Sequence, residues 1–141
     1  MKIIQFTGTD PSLYRLMAPL VMNAEVLRQN NNYPFKTSPQ YTWFIAQENN
    51  SIKGFMPVEC RNNQKYIINN YYLSEDNLLV LKALLEQVHF SFAGKLDLEA
   101  VVFRQHTDVF QAAGFFPIKT WKLYVKMEYQ GLNHEEKKKA E

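Results

Sequence analysis

Residues 41–73, YTWFIAQENNSIKGFMPVECRNNQKYIINNYYL, contain three runs rich in aromatic and β-branched side chains: Tyr41–Gln47, Ile52–Cys60 and Lys65–Leu73. Such residues suit a pleated, half-buried surface, so each run reads as a strand. Glu48-Asn49-Asn50-Ser51 and Arg61-Asn62-Asn63 separate them. Asn is a turn former, so the three runs read as an antiparallel meander. Pro57 has no N–H for a ladder and marks a bulge or an unpaired side of the middle strand. Asn69-Asn70 is polar for a strand interior and marks a bulge or an exposed strand end in the third.

Beyond the meander the period changes. Leu78, Leu79, Leu81, Leu84, Leu85, Val88 and Phe92 cover a wide arc of a helix that stops at Gly94 and is expected to be largely buried. Ser74 is its expected cap, with Glu75 and Asp76 in the first turn. Leu96, Leu98 and Ala100-Val101-Val102-Phe103 give a strand apolar on both faces, as inside a covered sheet. A short helix, Thr107–Ala113, ends at Gly114. From Trp121 to Tyr129 apolar and polar residues alternate, which predicts a half-buried strand. Upstream, Lys2–Phe6 is a short strand, and Asp10-Pro11 starts a helix with a stripe from Leu13 to Leu27. Pro19 lacks the N–H that would bond the carbonyl of Arg15, so a kink or two shorter helices are expected.

Of the 141 residues 46% are apolar and 14% aromatic, which suits a packed core. The formal charge of +2 demands no anionic partner, and no basic stripe indicates nucleic acid. Cys60 is the single cysteine, so no internal disulfide forms and a reducing cytoplasm is the expected setting. No leader and no apolar run of about 18 residues is seen, so no membrane span is expected. From Gly131 the sequence becomes charged, the composition of a solvated tail.

This order of elements resembles the GNAT superfamily of N-acetyltransferases over about residues 2–130. Glu48–Phe55 looks like that family's polar turn followed by a hydrophobic-Gly-hydrophobic strand start. Phe110-Gln111-Ala112-Ala113-Gly114-Phe115 is similar to its short helix ending in Gly-Phe, and the strand after it and the long helix after the meander also match. The resemblance implies an α/β (α+β) fold with a mixed, mostly antiparallel central sheet flanked by helices, in one domain over residues 1–130 with 131–141 as the tail. It implies acyl transfer, acetyl transfer above all, from acetyl-CoA or another acyl-CoA to an unknown amine, small molecule or peptide. The sheet would splay beside the third meander strand, where Asn70, Tyr71, Tyr72, Leu73 and Ser74 would line the path of a pantetheine arm. The rival reading is a GNAT-fold binding or assembly module that has lost CoA, its aromatic surface serving as a homodimer face.

Two features depart from the family. Its phosphate loop, Gln or Arg followed by two residues, Gly, one residue and Gly or Ala, is replaced here by Leu73-Ser74-Glu75-Asp76-Asn77. Glycines let a backbone approach pyrophosphate, whereas two carboxylates repel it. The position of the family's tyrosine acid falls on Phe110, which has no proton to give. Glu59 is a candidate general base, a solvent-facing strand carboxylate being the alternative. His106, near the expected splay, is a second candidate because imidazole titrates near neutral pH, the alternative being helix-start duty beside Thr107 and Asp108. His89, His134 and Cys60 have no metal-ligand spacing, so no metal is expected.

Overall fold

The computed structural model describes residues 1–92 and 94–131. Along the chain it forms β1 (Lys2–Thr7), α1 (Pro11–Val21), α2 (Ala24–Gln29), β2 (Tyr41–Glu48), β3 (Ser51–Arg61), β4 (Lys65–Ile68) and β5 (Tyr72–Leu73). These are followed by α3 (Leu78–Phe92), β6 (Asp97–Phe103), α4 (Thr107–Ala112), β7 (Phe115–Thr120) and β8 (Tyr124–Tyr129). The sheet runs β1-β2-β3-β4-β6-β8-β7, with β5 also paired to β3. Among the described residues only β4 and β6 pair in parallel. The expected mixed, mostly antiparallel sheet flanked by helices is present. Of the charged segment 131–141, all but Gly131 lies outside the described residues.

The meander forms with Tyr41 opposite Glu59 and Val58 opposite Ile68. At both of its turns two consecutive Asn take the left-handed backbone, Asn49 and Asn50 at φ 50° and 65°, Asn62 and Asn63 at 54° and 55°. That conformation matches the twist of a tight hairpin, and Asn tolerates it better than most residues. The third run is not one strand as expected but two. β4 stops at Ile68, Asn70 turns at φ 62°, and β5 then resumes pairing with Gly54 and Phe55 of β3. Gly54 permits that return, since a Cβ there would stand 2.7 Å from the carbonyl oxygen of Tyr72. β6 follows β4 as far as Ile68 opposite Ala100, while β5 does not pair with it. The sheet therefore parts between β5 and the end of β6.

Three further expectations are corrected. The first helical stretch does divide, but at Asn23 rather than Pro19, because the Asn23 Oδ1 accepts from Glu25 N–H and Val26 N–H and starts α2. The cap of α3 is Asn77 and not Ser74: its Oδ1 accepts from Leu79 N–H at 2.9 Å and Val80 N–H at 3.3 Å. Ser74–Asp76 is instead a 3₁₀ turn with Glu75 and Asp76 at φ 56° and 51°. The strand expected from Trp121 begins only at Tyr124. Trp121 and Leu123 are exposed in the hairpin loop after β7, an edge strand on which Pro117 is tolerated.

The sheet carries a core on each face. Leu81, Leu84, Leu85 and Val88 of α3, with Phe110 of α4, pack against Met56, Ile68, Ala100 and Met127 on one face. Leu13 and Met17 of α1, with Val26 of α2, pack against Trp43, Ile45 and Phe55 on the other. Leu78 and Leu79, expected in the buried arc of this helix, are exposed, as is Phe90 outside that arc.

Candidate functional site

On the α1/α2 face, beside the point where the sheet parts, lies a polar cavity of about 350 Å³. Lys36, Tyr41, Glu59, Arg61, Asn70 and Tyr124 are among its walls. Glu59 reaches it because alternate residues of β3 share a face. Its Oε1 accepts from Arg61 Nη2 at 2.7 Å and from Arg61 Nε at 3.2 Å, and Oε2 has no hydrogen bond to the described residues. Tyr41 lies across the ladder from it; burial pushes its phenol up, the charge of Glu59 adds to this and Arg61 opposes it. The Asn70 Oδ1 accepts from the buried Asn30 Nδ2 at 3.1 Å, and the Tyr124 hydroxyl accepts from Asn31 Nδ2 at 2.6 Å. One carboxylate thus faces the cavity with an oxygen to spare.

The split itself is held by side chains. On the β5 edge, Leu73 N–H donates to Gln29 Oε1 at 3.0 Å and the Leu73 carbonyl accepts from Gln29 Nε2 at 2.8 Å. A carboxamide from α2 therefore pairs with this strand as another strand would. On the β6 side, Phe103 N–H donates to the Tyr71 hydroxyl oxygen at 3.2 Å. That hydroxyl lies 2.7 Å from His106 Nδ1, and His106 Nε2 lies 2.6 Å from Asp76 Oδ1. A carboxylate only accepts, so Nε2 carries a proton; a neutral ring then accepts at Nδ1 from the Tyr71 O–H. Tyr71 and His106 are 2% and 3% exposed, whereas the Asp76 side chain is 53% exposed, so the chain of bonds runs from the core to solvent. Burial drives the Tyr71 phenol far above its ordinary value; Phe103 N–H lowers it, and the charge of Asp76 raises it further.

The residues singled out in the sequence fall into separate places. Glu59 and Asn70 share the cavity. Tyr71 and His106 meet in the buried chain on the α3/α4 side, and Leu73 supplies a strand edge. Tyr72 points the opposite way from Tyr71 and packs on Phe55 with ring centroids 5.4 Å apart. Ser74 opens the 3₁₀ turn. Gln29, Arg61 and Lys36 were not singled out; Gln29 lies 44 residues from its partner and left no local signal. Phe110 is fully buried against Tyr71 and Phe115 and offers no proton. Among the described residues no group of three or more His, Cys, Asp or Glu side chains is placed to hold a metal, and no helix is long and apolar enough to cross a membrane.

Comparison with solved structures shows that this order of strands and helices is a fold shared with proteins of known structure, N-acyltransferases among them. The fold is shared with an acyl-CoA N-acyltransferase from Pseudomonas aeruginosa, at TM-score 0.70 and 13% identity over 92% of this chain and 100% of that one. Escherichia coli ElaA aligns at TM-score 0.67 and 13% identity, over 92% and 100%. A GNAT family acetyltransferase from Elizabethkingia anophelis with acetyl-CoA bound aligns at 0.57 and 17%, over 90% and 94%. No family model and no curated protein matches the sequence.

The two ends of the split differ. Both backbone groups of Leu73 on this edge are taken by the Gln29 carboxamide, so a second amide would have to displace it. At α3 the free N–H groups of Leu79 and Val80 are taken by Asn77, with Glu75 and Asp76 directly ahead. A pyrophosphate needs open N–H groups and positive potential there; two of the N–H groups are taken and two carboxylates stand ahead of them.

Proposed function

We propose that the chain is a GNAT-type N-acyltransferase that moves an acyl group, acetyl being the simplest, from a thioester to a small-molecule or peptide amine in the cytoplasm. The reading rests on a single juxtaposition: a cavity with a half-engaged carboxylate lies beside a parted sheet whose edge is shaped for an amide. A bound acyl thioester, acetyl-CoA or a relative, supplies the activated carbonyl. The amine nitrogen bonds the thioester carbonyl carbon, the C–S bond breaks and the sulfur leaves as a thiolate that takes its proton from water; Glu59 receives the proton of the incoming amine at Oε2, while Arg61 fixes the carboxylate through Oε1. Lys36 belongs to no ion pair among the described residues and meets any carboxylate that the acceptor carries. His106, held between Tyr71 and Asp76, is not among the walls of the cavity; its proposed part is to position Tyr71 at the split.

The second reading, a non-catalytic binding module, has its own support. Every strand-edge group named at the split is already satisfied internally, and Phe110 stands where the family's acid would be. Incubation with acetyl-CoA, S-acetylpantetheine and a panel of primary amines, followed by mass spectrometry of the amines, separates the two. The expected result is a gain of one acetyl group on at least one amine; acetylation of none from either donor supports the module.

A further inference from the structure

The two ends of the split ask for different chemistry. Gln29 shows that the β5 edge accepts a carboxamide with donor and acceptor both used, at 2.8 and 3.0 Å. The other end presents carboxylates: Glu75 is exposed, Asp76 is half-exposed, and Asn77 takes the N–H groups of Leu79 and Val80 in the first turn of α3. The groove of about 670 Å³ between α3 and α4, which continues from that end, has a mostly apolar lining that includes Leu78, Leu79, Phe90 and Val109, with Lys82 as its sole Lys or Arg. We infer that the thioester donor is recognised through its amide-bearing pantetheine arm and not through nucleotide phosphates, so that each added phosphate weakens binding or leaves it unchanged. The inference rests on the acyltransferase reading above.

Calorimetric titration of pantetheine, 4′-phosphopantetheine and CoA into the whole chain tests it without turnover. Pantetheine is expected to bind as tightly as CoA or more tightly. Gln29→Ala, once shown to be folded by circular dichroism, should bind pantetheine at least threefold more tightly, because a competing amide is gone. Glu75→Lys should tighten CoA binding and leave pantetheine binding unchanged. CoA binding tenfold or more tighter than pantetheine overturns the inference while leaving acyl transfer standing; no binding of any of the three overturns both. A parallel titration with phosphopantetheine carried on an acyl carrier protein distinguishes a protein-borne donor from a free one.

Along the α3 side of that groove, Leu79, Lys82, Glu86 and Phe90 form one stripe at helical spacing, with Leu79 76% and Phe90 87% exposed. Neither Lys82 nor Glu86 is in an ion pair among the described residues, and Lys preceding Glu by four is the poorer order for a bond within one helix. The order apolar, Lys, Glu, apolar is self-complementary under an antiparallel two-fold, which sets Leu79 against Phe90 and Lys82 against Glu86 of a second copy. We propose that two copies pair through α3, on the face of the sheet opposite the Glu59 cavity. Sedimentation over a concentration series should show a dimer that Phe90→Glu and Lys82→Glu each weaken at least tenfold and that Lys82→Glu with Glu86→Lys restores. A wild-type monomer at about 100 µM, a concentration at which even weak complexes are populated, or a double variant no better than Lys82→Glu, overturns the pairing.

Discussion

Tyr71→Phe is expected to destabilise the chain by about 2–6 kcal/mol, since a buried polar group left without a partner costs about 1–3 kcal/mol and this substitution strands two. The ring is retained and no cavity opens, so the loss comes from Phe103 N–H and His106 Nδ1, both of which lose the hydroxyl. Urea unfolding at neutral pH measures it, and a change under about 0.5 kcal/mol, the ordinary scatter of surface substitutions, would contradict the arrangement. The pH dependence gives a second readout. The folded state holds the phenol proton to higher pH than the unfolded chain, so the stability from this group is complete below about pH 10 and is lost as pH rises above it. The Phe variant lacks that loss. The gap between the two proteins should therefore narrow above about pH 10.

Glu59→Gln should lower kcat/KM for amine acetylation by about 10²–10⁴-fold, the usual contribution of a positioned general base. Gln keeps the size of the side chain and an oxygen for Arg61, and the position is at the rim of a cavity, so the fold should survive. The deficit should shrink at high pH, where the acceptor amine loses its proton to water without help. Rates for wild type and variant from about pH 6 to 10, a span that covers the ordinary value of an α-amino group and approaches that of Lys, would show this. A uniform change under threefold assigns the carboxylate to binding Arg61 alone.

The meander is legible because strand patterning and turn chemistry agree within it: aromatic and β-branched runs flank Asn pairs, and those pairs take the left-handed backbone. Even the break in its third strand is signalled, as Asn69-Asn70. β7 is not, because Phe115–Thr120 has no clean alternation and contains Pro117, which only an edge position tolerates. The cap of α3 escapes for another reason. Ser74 and Asn77 are both good caps, and the sequence cannot show that Asp76, bonded to His106, belongs to a turn ahead of the helix. Glu59 is legible as a carboxylate in a strand, but its free oxygen depends on Arg61. The closure of the split joins residues 30 to 44 apart, Asp76 with His106 and Gln29 with Leu73, and no local pattern encodes such pairs.

The single parallel pairing in the sheet also bears on the order in which the molecule assembles. β2–β3 and β7–β8 are hairpins that close locally, whereas β4 and β6 meet only after α3 has been laid between them. Contacts across longer loops pay more closure entropy and tend to form later. Tyr71 and His106 span that same seam. Folding should therefore finish, and local unfolding begin, at the split, which makes it the most readily reopened part of the core.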